Sequence, residues 1–558
     1  MVSLTLILAF LGTALASPTP QRPSVTIKNG TVVGRSANQV DSFIGIPYVQ
    51  PPVGDLRLRQ PRSIEKPFGT LLLPQVAPAC PQMNMSSVDT TGVDKQGAAI
   101  IDELSANFTG TSSEDCLTLS IQRPAGIPLD KKLPVLFWIH GGGWSIGTTQ
   151  WYDGTAIVRK SVDMNEPVIF VAANYRLNAF GYLHGRQLQE DKSTNLGMRD
   201  QRKAMEWVAE NIGAFGGDPD KVTIWGESAG SASVLDHMLA NDGDHQYNGK
   251  PLFRGAIMNS GSIIRTQNST CSKAQDVFDG VAKASGCDPA EKNVLECLRK
   301  APFDVFNAAM NSVDNFMTER SNDLAYLPRP DPSDTFFGEY PEVSIAKGKY
   351  ARVPVIMGNQ QDEATVFAVA QRNIVNSTET LADFFHSWLP YTDRKTIEQL
   401  IDTYPDDPAA GLPVDTGSQY ELYPQFKRNA AIQSDLTFIM GRREALSHMA
   451  HAIPAWSYLS TYLHDLPQFG TYHISDLATQ FSLKVNPYAG EKMDAAYIQF
   501  VNHLNPNGRN CPEQWWPKWD NKRLQMAEFG KDSVKITKDD FRWESYEFWK
   551  NHGAQLRQ

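Results

Sequence analysis

Ser228 stands between small residues in Gly226-Glu227-Ser228-Ala229-Gly230, after the apolar run Val222–Trp225 and before a helix-compatible run, Ser231–Leu239. Small neighbours let a backbone turn sharply and push the hydroxyl out at a strand end. Upstream lies a second signal, His140-Gly141-Gly142-Gly143-Trp144. A loop of glycines brings backbone N–H groups close to a reacting carbonyl, because no Cβ intervenes. A serine hydroxyl is a weak nucleophile near neutral pH and needs a histidine to take its proton. The histidine in turn needs a carboxylate to fix its tautomer. The chemistry in view is acyl transfer through a serine ester.

Further motifs surround these two. They are Phe43–Arg57 (with Gly45, Pro47, Pro51, Pro52 and Gly54), Glu114-Asp115-Cys116, Asn174–Leu177, Asn195–Arg202 and Phe215–Pro219. Together with the serine turn they resemble the type-B carboxylesterase/lipase family, which includes cholinesterases and secreted fungal lipases. Beyond about residue 265 the matches thin to isolated landmarks. The resemblance implies an α/β-hydrolase fold, a mostly parallel sheet flanked by helices in one large domain with long insertions. It implies a serine carboxylic-ester hydrolase that needs no metal or organic cofactor. It also implies the chain order serine, acid, histidine.

Both partners of Ser228 should therefore lie downstream. Val353–Met357 reads as a buried strand followed by Asp362-Glu363-Ala364. This segment resembles the family's strand-then-Asp-Glu-Gly element, which makes Glu363 the acid and Asp362 the alternative. Ala364 stands where the family usually has glycine. If that position needs positive φ, alanine costs about 1 kcal/mol or the turn differs. Among the later histidines, His473 follows a strand-like run, Ala455–Leu463, on a loop led by Gly470, and His464 is the second choice. By resemblance the oxyanion donors are the N–H groups of Gly142, Gly143 and Ala229. His140 is expected to shape its loop, and Glu227 to bond the core behind the site.

The elements that position these residues are partly legible. Phe215–Pro219 reads as a tight turn into the strand before Ser228. Asp200–Asn211 reads as an amphipathic helix, with Ala204, Trp207, Val208 and Asn211 on one face. Arg57 and Asp115 look like the family's structural ion-pair positions. Ile100, Ile101, Leu104 and Phe108 fall on one helical face, which resembles the disulfide-anchored flap of fungal lipases. An ordinary loop helix packed on the core is the other reading.

Residues 1–16 form an apolar run ending Ala14-Leu15-Ala16, as in a secretory signal peptide, leaving 17–558 as one α/β-hydrolase domain. No later stretch approaches the length of a membrane span. The expected product is thus secreted and extracellular. Six cysteines agree with export. Cys80 and Cys116 flank one segment and Cys287 and Cys297 bracket a short loop; these are the expected pairs. Cys271 and Cys511 remain open, since spacing does not decide connectivity. Sequons stand at Asn29, Asn84, Asn107, Asn268 and Asn376. The net charge of −10 comes with no basic stripe, which excludes a nucleic-acid partner. No Trp or Tyr lies between Cys80 and Cys116, so that loop offers no platform for a quaternary ammonium, against a cholinesterase. A small-molecule or lipid ester, apolar in its acid, is the expected partner, and a true lipase or sterol esterase activated at an interface is the alternative. A catalytically silent adhesion protein of the same fold is the reading from another class.

Overall fold

A computed structural model describes residues 22–482, 486–509 and 515–558. The expected leader, 1–16, and Cys511 lie outside the described residues. The core is an 11-stranded sheet. In chain order its strands are β1 (Arg35–Ala37), β2 (Val40–Pro47), β3 (Thr118–Pro124), β4 (Leu133–Ile139), β5 (Ile169–Ala173) and β6 (Gly217–Glu227). They continue with β7 (Gly255–Asn259), β8 (Val355–Gln360), β9 (Ala455–Ser460), β10 (Gln525–Phe529) and β11 (Val534–Lys538). Across the sheet the order is β11-β10-β9-β8-β7-β6-β4-β5-β3-β2-β1. Strands from β10 to β5 pair in parallel, and antiparallel pairs close both edges.

Helices cover both faces of the parallel part, so β4, β5, β7, β8 and β9 are buried at every residue. This is why they read as continuous apolar runs rather than as alternation. Their registers bring the carboxyl ends into one line. Ile139 of β4 pairs with Gly226 of β6, Glu227 with Asn259 of β7, and Asn259 with Gly358 of β8. Gln360 of β8 pairs with Ser460 of β9. Every loop that carries a candidate residue therefore leaves the same rim, the place where open α/β sheets gather their sites.

Five helices matter to that rim: α1 (Lys95–Leu104), α2 (Leu196–Asn211), α3 (Ala229–Leu239), α4 (Thr365–Ala368) and α5 (Phe426–Ser434). Helix α3 starts directly after Ser228 and is buried along all 11 residues, which explains its lack of a polar face. Helix α2 begins four residues before the expected Asp200, and Ala204, Trp207, Val208 and Asn211 are buried as the periodicity requires. Asp200 is buried as well and accepts two bonds of 2.7 Å from the guanidinium of Arg176.

The ion pair of Arg57 requires a correction. Its partner is Glu114, at 2.6 and 2.7 Å, and not Asp115. In this extended segment neighbouring side chains point to opposite sides, so Glu114 and Cys116 face inward while Asp115 faces solvent. The two expected disulfides are present, Cys80 with Cys116 and Cys287 with Cys297.

Candidate active site

The turn at Ser228 is local in origin. Ser228 has φ +56° and ψ −126°, a conformation of order 1–3 kcal/mol above the common wells. Its flanking glycines permit close packing that no Cβ would tolerate. A Cβ on Gly226 would lie 2.4 Å from the backbone of Gly230, and one on Gly230 would lie 2.1 Å from the carbonyl oxygen of Ile139. The strained serine is thus held between the end of β6 and the first turn of α3.

Three candidates from distant parts of the chain meet here. Ser228 Oγ is 2.8 Å from His473 Nε2, and His473 Nδ1 is 2.7 Å from Glu363 Oε2. A carboxylate only accepts, so Nδ1 carries the ring hydrogen and Nε2 receives the bond from the serine. Glu363 Oε1 accepts from the Asn359 side chain at 3.0 Å and from the Gln360 N–H at 2.9 Å, which fixes the acid in place. Asp362 does not reach the histidine; its carboxylate accepts backbone N–H bonds from Val414 and Thr471. Ala364 has φ −96°, so the turn never enters the left-handed region and alanine carries no strain there. His464 follows the carboxyl end of β9 by four residues and bonds neither Ser228 nor Glu363 among the described residues.

The glycine loop turns back beside the serine. Gly142 and Gly143 have φ +102° and +60°, and both line the cavity with Ala229. None of their three N–H groups donates to another described protein group. His140 stacks on Tyr175 with centroids 4.4 Å apart, and its Nδ1 lies 3.0 Å from the carbonyl of Gly141. Burial lowers its pKa to about 4, so it stays neutral and braces the loop, as expected.

Glu227 departs from expectation. It does not bond the core behind the site. Its Oε1 has no hydrogen-bond partner among the described residues and lies 3.4 Å from His473 Nε2. Burial, with Asp476 and then Glu363 nearby, pushes its carboxyl well above the usual range. Asp476 is buried too and is pushed up to about 6 by desolvation, while accepting a 2.8 Å bond from Asn259. Sequence reading gave no role to Asp476, although it follows His473 by three residues. It also missed Phe438 and Phe367, whose rings pack on the His473 imidazole at 4.4 and 5.4 Å. Phe438 lies in a π-helical stretch, Asp435–Ile439, directly after α5. Such bulges often re-aim side chains at sites.

These groups open into a cavity of about 700 Å³ with mostly apolar walls. Ile100, Leu104 and Phe108 line one side, and Phe316, Leu324 and Val366 line another. The flap is only partly as expected. Helix α1 is capped by Asp94 and ends at Leu104, so Phe108 lies beyond it, edge-on to Trp151. Ile101 is buried in the core cluster that contains α4 and α5, and anchors the helix rather than lining the cavity.

The model of the carboxylesterase family matches residues 21–549. The chain belongs to the carboxylesterase family. This carboxylesterase is 43% identical over 537 residues to "Secreted triacylglycerol lipase LIP1" of Gibberella zeae, covering 94% of this chain and 89% of that one. It is 40% identical to "Secreted lipase 1" of Botryotinia fuckeliana, covering 98% of each. Among solved structures, Aspergillus niger EstA shares the fold with a TM-score of 0.79 at 24% identity, over 96% of this chain and 99% of that one. A PNB esterase superposes with a TM-score of 0.74 at 26% identity, over 94% and 100%. The carboxylesterase is a carboxylic ester hydrolase with an α/β-hydrolase fold. Among the described residues, no helix is long and apolar enough to cross a membrane.

Proposed function

We propose that this carboxylesterase is a secreted enzyme that hydrolyses esters of apolar acids through a serine acyl-enzyme. The observation that carries the reading is the bond chain Ser228–His473–Glu363, at 2.8 and 2.7 Å, opening into an apolar cavity. Ser228 Oγ attacks the ester carbon while its proton passes to His473 Nε2. Glu363 holds Nδ1–H and stabilises the imidazolium. The N–H groups of Gly142, Gly143 and Ala229 receive the developing oxyanion, where one donor is typically worth about 3 kcal/mol. His473 then returns its proton to the departing alcohol. A water molecule repeats the cycle and frees the acid.

The name of the Gibberella zeae relative, a triacylglycerol lipase, and Trp151 standing 45% exposed beside Phe108 favour a triacylglycerol as the natural ester. Secretion rests on the leader at 1–16 and on those relatives. Of the proposed glycosylation sites, Asn84, Asn107 and Asn376 are exposed, and Asn29 and Asn268 are half-buried.

An organophosphate tests the central assignment. One equivalent should abolish hydrolysis of both dissolved and emulsified esters, with the adduct mapped to Ser228. Label on another residue, or full activity in Ser228→Ala, removes Ser228 from the mechanism.

A further inference from the structure

Asp362 is wholly buried next to Glu363, yet it takes no part in the proton path. Its hydrogen bonds run to the loop that carries His473 and to the backbone of Val414. The Asp362 N–H donates to the Thr471 carbonyl at 3.0 Å, and the Thr471 N–H donates back to Asp362 Oδ2 at 2.9 Å. Oδ1 accepts from the Val414 N–H at 3.0 Å. Thr365 closes the arrangement, because its hydroxyl stands 2.9 Å from the carbonyl oxygen of Asp362 and 2.8 Å from that of Phe469 and shares its one hydrogen between them. Two residues on, the His473 N–H donates to the carbonyl of Glu363 at 3.2 Å. Gly470 has φ +57°, and a Cβ there would lie 2.2 Å from Asp362 Oδ2. No side chain fits between the carboxylate and the loop.

We infer that Asp362 is a positioning residue: its carboxylate pins the 469–473 loop onto the acid turn and thereby sets the approach of His473 to Ser228. Two neighbouring residues on one turn thus divide the work. Glu363 holds the imidazole through Nδ1, and Asp362 holds the backbone that carries it. Burial pushes the Asp362 carboxyl up to about 6, against the pull of its Val414 and Thr471 bonds and of His464 and Arg542. At neutral pH it is therefore ionised and both backbone donors meet a charged acceptor, the stronger kind of hydrogen bond. An amide at this place would turn its NH2 toward one of the two N–H groups and lose that bond.

The inference rests on His473 being the base, and His473→Ala alone tests that reading. Displacing a reacting group by about 1 Å costs up to about a hundredfold. Asp362→Asn should lower kcat on a soluble ester by about ten- to a hundredfold with KM nearly constant. A positioning role acts only through the group positioned, so in a His473→Ala background the same substitution should add less than about twofold. An equal loss in both backgrounds, or a loss confined to KM, overturns the inference. If Asp362→Asn does not fold, Thr365→Val loosens the same pin, with a smaller fall in kcat expected and the same dependence on His473. Independence from His473 overturns it there too.

Discussion

Glu227 Oε1 lies 3.4 Å from Nε2 of His473, the ring nitrogen that also meets Ser228 Oγ. An ionised carboxylate there would compete with the serine for the imidazolium. Burial and two acidic neighbours raise this carboxyl well above the usual range and so favour its neutral form. A protonated carboxyl and a carboxamide are close mimics. Glu227→Gln should therefore keep kcat at pH 7 within about fivefold, roughly 1 kcal/mol of barrier. The two pH–rate profiles should coincide at low pH and part as pH rises through the raised range in which Glu227 ionises. A loss of several hundredfold at pH 7 would show that Glu227 works as an anion.

The apolar cavity wall makes chain length the natural variable. Each methylene accommodated contributes up to about 0.8 kcal/mol, nearly fourfold in kcat/KM. Across p-nitrophenyl esters the specificity constant should climb over several carbons and then level off. Leu104→Ser with Phe108→Ser should flatten that climb, since both side chains line the cavity. Ile101 is the wrong target, because its burial beneath α1 makes its loss a matter of stability. Fastest turnover on acetyl esters would describe a small-pocket esterase instead.

Asp494 gives a pH dependence to the fold itself. Desolvation pushes its carboxyl up to about 7, with Lys160 opposing and Glu491 reinforcing, and its Oδ1 has no hydrogen-bond partner among the described residues. A pKa raised on folding favours the folded state at low pH, and that contribution is lost as pH rises through the folded value. The window here runs from about 4 to about 7. Asp494→Asn should thus raise Tm at pH 8 and leave it little changed at pH 4.5, as thermal unfolding at the two pH values would reveal. A lower Tm at pH 8 would mean that the ionised carboxylate is stabilising.

Much of this protein is legible in its residues because the relevant physics is local. The elbow around Ser228 is carried by five contiguous residues whose small side chains permit one sharp turn. The Gly142–Gly143 loop is equally self-contained, and so is the apolar run before Glu363. The amphipathic period of α2 and the Cys80–Cys116 and Cys287–Cys297 pairs were also within reach. What tertiary structure decided is contact between chain segments that carry no mutual signal. His473 meets Glu363 across 110 residues and Ser228 across 245. That closeness comes from sheet register, which aligns the ends of β6, β8 and β9. The same register turned Glu227 toward His473 and set Asp362 beneath Thr471. Packing of the loops around the sheet chose Glu114 over Asp115 and left the φ of Ala364 negative. Each depends on which way a side chain or turn faces once packed, and one-dimensional spacing does not encode that direction.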